Sequence, residues 1–218
     1  MTSGPSLPSP PRLRGLLHGA AFPAVVVAGA VLVALARTDR ARVACAVYAT
    51  SAALLFGVSA LYHRWRRGDR WRRILRRLDH ANIFLIIAGS YTPFAVLLLH
   101  GRAAITVLAV VWAGALAGIV LRTAWPAAPR WVHVPVYLGL GWVAVFVTPQ
   151  LHRGGGTAVL VLVAVGGGLY TAGALVYALR RPDPWPRWFG FHEVFHALTV
   201  AAFVVHYIAI SIVAYVRA

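Results

Sequence analysis

His192 and His196 are four residues apart. On a helix that spacing stacks them on one face, one turn from each other, where two imidazoles can chelate one ion. A third imidazole from a facing element would complete a three-histidine set. Catalytic zinc commonly has three protein ligands and keeps an open position for water. His63 is the candidate third ligand; it closes an apolar run that carries Ser59 four residues earlier, and Asp79 opens the next run. In that company Asp79 is a water-orienting carboxylate or a fourth ligand, and Ser59 supports the ligands or donates to an oxyanion. A lone HxxxH is weak evidence for metal, since polar residues can simply line a boundary. Four candidates from distant segments at one level make the stronger case.

The same residues admit two other chemistries. His192-Glu193-Val194-Phe195-His196 satisfies the HExxH pattern of zinc proteases, with Glu193 as general base; Glu193 lies only about 100° around a helix from His192, so it could also be a base in another hydrolase. Haem is disfavoured, because two histidines on one helix face cannot clamp an iron from opposite sides. The remaining histidines are less informative. His80 points about 100° away from Asp79, and His206 shares the His192 face but lies about 21 Å further along, where a core histidine is ordinary. His133 opens a run on the same side as the cluster. His100 and His152 fall at the opposite boundary.

The elements that must position these groups are apolar. Of 218 residues 60% are hydrophobic and only 12% charged, about half the charged share of a soluble domain, and the mean hydropathy is +0.74. Apolar runs fall at roughly 17–36, 43–62, 80–99, 103–121, 132–150, 157–179 and 191–215. Each is long enough to cross the hydrocarbon as a helix. Their continuity, without alternation, excludes a β-barrel. Breakers separate them: Gly101, Pro126 and Pro129, the triplet Gly154-Gly155-Gly156, and Pro182, Pro184 and Pro186. The reading is an all-α integral membrane protein, a seven-helix bundle spanning 12–218 after a disordered tail at 1–11.

All 21 basic residues are Arg, and the net charge is +16. They sit in the gaps between runs, which argues for membrane topology signals and against nucleic acid. With seven spans, fifteen Arg fall on the side of the N-terminus and six on the other. The bias predicts a cytoplasmic N-terminus and an outside C-terminus. Trp65, Trp71, Trp125, Trp131, Trp185 and Trp188 gather at the same inner boundary as interfacial anchors. Eight Arg crowd the loop 64–77, which sets topology and could also attract anionic lipids. Arg12 and Arg14 before an apolar run ending Ala34-Leu35-Ala36 also resemble a cleavable signal, whose loss would leave six spans. Cys45, alone in an apolar stretch, builds no disulfide framework.

Ser59-x-x-x-His63, Asp79-His80-Ala81-Asn82-Ile83, Gly89-Ser90-Tyr91-Thr92-Pro93-Phe94 and His192-Glu193-Val194-Phe195-His196 together resemble the haemolysin III family, which belongs with the progestin and adiponectin receptors. The resemblance covers nearly the whole chain. It implies seven helices, a cytoplasmic N-terminus and an intramembrane zinc held by His63, His192 and His196, with Asp79 holding the water on it. It also implies kinship with ceramidase-like hydrolases. The family's Glu-x-x-Asn-x-x-x-His pattern before the first helix is reduced here to His18, a site-lining or an interfacial residue, with the interfacial reading preferred. Two functions follow as expectations: a zinc-dependent lipid-amide hydrolase of the plasma membrane, or a non-enzymatic receptor-like or cytolytic protein in which zinc braces the helices. Membrane lipids are the expected partners; the oligomeric state is not legible.

Overall fold

A computed structural model of the protein describes residues 11–65 and 68–217. The helices are α1 (Leu16–Leu35), α2 (Asp39–Arg64), α3 (Asp69–Leu98), α4 (Gly101–Ala124), α5 (Arg130–Gly141), α6 (Thr148–Leu179) and α7 (Phe191–Ile212). A 3₁₀ segment, Trp142–Val147, joins α5 to α6, and a π-helical turn, Val213–Arg217, follows α7. There is no β-strand among the described residues. Of the disordered tail expected at 1–11, residues 1–10 lie outside the described residues. Pro11 is described, and its carbonyl accepts from the Arg14 amide at 3.1 Å.

Six stretches are long and apolar enough to cross a membrane, with Arg130–Leu179 forming one stretch of 50 residues. The two runs expected there are joined through helical turns rather than a loop. They are nevertheless broken at Gly156, whose φ of 76° and ψ of 176° are non-helical. Only glycine adopts that backbone without steric cost, so the glycine triplet ends one helical piece and starts the next.

The polarity of the molecule is inverted relative to a soluble bundle. Val27, Val43, Ile105, Phe146 and Leu179 are exposed, whereas Ser51, Ser59, Asn82, Glu193 and His196 are buried. Apolar surface on this scale cannot face water without association; lipid accepts it, and the helices satisfy their own backbone groups. The chain is a multi-pass membrane protein.

α3 is the most enclosed of the candidate spans. It is tied to α2 by Asn82, whose Nδ2 donates to the Leu54 carbonyl at 2.9 Å. α2 is tied to α7 by Tyr48, which donates to the Phe203 carbonyl at 3.3 Å, and by Phe56, edge-on to Phe203 with centroids 5.3 Å apart. These contacts tie the middle of α2 to the middle of α7. One expectation is corrected here. The Arg-rich 64–77 segment is not simply a loop, because α3 begins at Asp69. Nothing after Gly68 interrupts a helix and Arg is a good helix former. Arg70, Arg72, Arg73, Arg76 and Arg77 therefore stand exposed on its first turns, and Asp79 sits three turns into the helix; residues 66–67 lie outside the described residues.

Candidate metal centre

α7 starts at Phe191, so His192 and His196 occupy its first turns on one face, with ring centroids 4.4 Å apart. The last turn of α2 delivers His63. Its ring centroid lies 4.7 Å from that of His192 and 5.2 Å from that of His196. One nitrogen from each ring lies within 4.8 Å of the other two, so the three histidines could hold a metal ion. The Nε2 atoms of His63 and His192 are 3.1 Å apart, close to the edge of about 3.3 Å for a tetrahedron with Zn–N near 2.0–2.1 Å. Three imidazoles crowded into an apolar interior, with one nitrogen pair already at ligand spacing, suit a cation that accepts all three lone pairs.

Asp79 and Ser59 reach the same place from α3 and α2. Asp79 Oδ2 is 4.0 Å from His63 Nε2, and its side chain is largely buried. Ser59 is buried and lies within hydrogen-bonding reach of the Asp79 carboxyl. All five residues singled out in the sequence thus meet at one end of the bundle. The carboxylate stands at ion-pair distance from His63, beside the three-histidine group rather than within it.

The other sequence-level candidates divide. Glu193 is almost fully buried, and both its oxygens are occupied: one takes the Gly190 amide at 2.9 Å, the other a close ion pair from Arg14 Nε. That removes the free carboxylate a protease-type base requires. His18 is not interfacial. It is buried, and its ring stacks on His196 with centroids 3.8 Å apart and planes 3° from parallel. Its place in the cavity lining agrees with the site-lining alternative and not with the preferred interfacial one. His80 hydrogen-bonds the Arg76 carbonyl of its own helix at 2.6 Å, and buried His133 sits near Tyr137 rather than in the three-histidine group.

A cavity of about 240 Å³ opens from this cluster into the bundle. His18, Ser59, Asp79, His192 and His196 line one end, and Phe94, Val107, Leu151 and Leu160 line its apolar remainder.

Residues 8–207 match the family model described as haemolysin-III related. The chain belongs to the haemolysin-III-related family. It is 32% identical over 135 residues to the Hemolysin-3 homolog of Bacillus subtilis (strain 168), covering 62% of this chain and 63% of that protein. It is 31% identical over 144 residues to Hemolysin-3 of Bacillus cereus, covering 66% of this chain and 65% of that one. Over an alignment of 164 positions it is 31% identical to the Adiponectin receptor protein of Drosophila melanogaster, covering 66% of this chain and 36% of that receptor. The chain thus spans somewhat under two thirds of the bacterial relatives' length. Both halves of the histidine cluster, on α2 and on α7, fall within the haemolysin-III match.

Proposed function

We propose that this chain is a zinc-dependent hydrolase of membrane lipid amides, a seven-span protein of the plasma membrane with its N-terminus in the cytoplasm. The observation that carries the proposal is the convergence of His63, His192 and His196, with Asp79 Oδ2 4.0 Å from His63 Nε2, beside an apolar cavity that Asp79, His192 and His196 line. The seven-span reading takes the pieces on either side of Gly156 as separate spans, and the Arg bias supports the orientation. The exposed Arg on the first turns of α3 would then face anionic lipids of the inner leaflet, at about 1 kcal/mol per basic group.

His63, His192 and His196 would hold the metal, whose chemistry when bound is to acidify a water and polarise a carbonyl. The residues then divide the work. Asp79 orients a water and takes its proton. Ser59 donates its one O–H to the Asp79 carboxyl and holds it in place. The apolar cavity receives acyl chains, so a lipid enters laterally with its polar linkage at the histidine end. An amide suits this site because its carbonyl needs both polarisation and a positioned nucleophile.

Metal content of the detergent-purified protein and turnover of a ceramide-like amide test the proposal together. One zinc per chain with turnover that Asp79→Asn abolishes supports catalysis. Stoichiometric zinc without turnover across lipid amides favours the second reading, a receptor-like or cytolytic protein with a bracing metal, as the names of the relatives suggest. Protein that binds no divalent metal ends both.

A further inference from the structure

The chain ahead of α1 does not drift away from the site; it is laced to it. The Arg12 amide donates to the Arg187 carbonyl at 3.0 Å and the Leu13 amide to the Trp188 carbonyl at 3.2 Å, so the segment pairs with the approach to α7. The Arg12 guanidinium covers the Trp188 ring at 4.5 Å. Arg14 then turns inward to Glu193. Glu193 stands on α7 between the two candidate ligands of that helix, one residue after His192 and three before His196. Its second oxygen caps the same helix at Gly190, so a single carboxylate fixes both the start of α7 and its attachment to α1.

Two further contacts complete the frame. Gly15 has φ +77°, and a Cβ there would lie 2.5 Å from the Cβ of His63. Glycine is needed for the backbone and for the approach, and it lets α1 begin flat against the ligand-bearing turn of α2. One turn on, His18 lies parallel to His196 and edge-on to Phe56 at 4.8 Å. Both nitrogens of His18 are buried, and the ring is packed between His196 and Phe56. The approach to α1 and its first turn therefore touch α2 at His63 and α7 at Glu193 and His196.

We propose that Arg14, Glu193 and His18 are positioning residues for the metal centre: the Arg14–Glu193 pair sets the pitch and depth of the first turn of α7, and His18 fixes the plane of the His196 ring. This rests on the metal reading above, and it assigns Glu193 a role incompatible with that of a proton-accepting base. A group next to the ligands that holds their orientation is worth about 10–100-fold in metal affinity.

The test uses the full-length protein in detergent, titrated with Co²⁺ as the probe and followed by its visible absorption and dissociation constant. Arg14→Met should weaken Co²⁺ binding by about 10–100-fold and shift the absorption bands. It leaves Glu193 buried and uncompensated, so Arg14→Met/Glu193→Gln should bind Co²⁺ better than Arg14→Met alone, because removing both charges is milder than removing one. His18→Ala should alter the spectrum, and His18→Phe, which keeps a stacking ring, should restore it. If Arg14→Met unfolds the chain, the His18 pair still decides. Unaltered spectra and affinities in Arg14→Met and His18→Ala overturn the proposal. So does a Glu193→Gln protein that binds Co²⁺ with unchanged affinity and spectrum yet loses turnover, the result expected of a base. Wild-type protein that binds no Co²⁺ is a different result, the failure of the metal reading itself.

Discussion

His192 and His206 share one face of α7, yet their surroundings differ in kind. At the His192 end, α1, α2 and α3 all bring polar groups: His18, His63, Ser59 and Asp79. At His206, which lines the far part of the same cavity, Nε2 meets the Val163 carbonyl at 3.4 Å. The ring is otherwise wrapped by Tyr170 at 5.5 Å and Phe94 at 6.2 Å, and it presses on Gly166, where any Cβ would overlap it. One histidine belongs to a convergence of four helices, and the other fills a notch in α6. Residue type, helix and face are common to both, so none of these makes a metal site. What differs is whether a second element ends nearby with a lone pair to offer.

That contrast can be broken most directly by removing the pair on α7. His192→Ala/His196→Ala should abolish stoichiometric metal in purified protein, measured by elemental analysis, whereas His206→Ala should leave it intact. Equal loss from both would mean that the metal responds to α7 as a whole and that the convergence is irrelevant. Next in size is Asp79→Asn, which keeps the shape and removes the proton acceptor. Turnover of a lipid amide should fall by about 10²–10⁴-fold, the usual contribution of a positioned acid–base group, with metal content unchanged. Loss of the metal together with the activity would make Asp79 a ligand. Gly166→Ala sharpens the other side of the comparison. It forces a methyl group into the His206 ring and should destabilise by about 1–3 kcal/mol, seen as an earlier thermal transition in detergent, without altering metal affinity. The smallest effect is expected from His80→Ala. Its ring nitrogen is satisfied within α3, so both metal content and melting should stay near wild type.

The same division shows how far a linear reading reaches. The HxxxH on α7 was legible because helical periodicity is local. His63, Ser59 and Asp79 could be placed at one level because apolar runs in a bilayer fix the depth of the residues that bound them. The glycine triplet announced a break, although not that the chain would pass through it with only Gly156 leaving helical geometry. The 64–77 segment was misread in part, since high charge density looks like a loop while Arg itself favours helix, and α3 extended through it. The sequence leaves Glu193 open as a possible base. HExxH spacing suggests an available base, but availability depends on Arg14, 179 residues away in the chain.

Sequence by itself determined that this is a helical membrane protein and which residue types could share one depth, because the hydrophobic thickness of lipid imposes a length and the helix imposes a period. Tertiary structure alone decided which of those groups touch. Whether His18 is a boundary residue or a ring stacked on His196, and whether Glu193 is free or clasped, depends on the azimuth of α1 against α2 and α7. That angle is set by side-chain packing between helices and by the close approach at Gly15, and neither leaves a periodic signature along the chain.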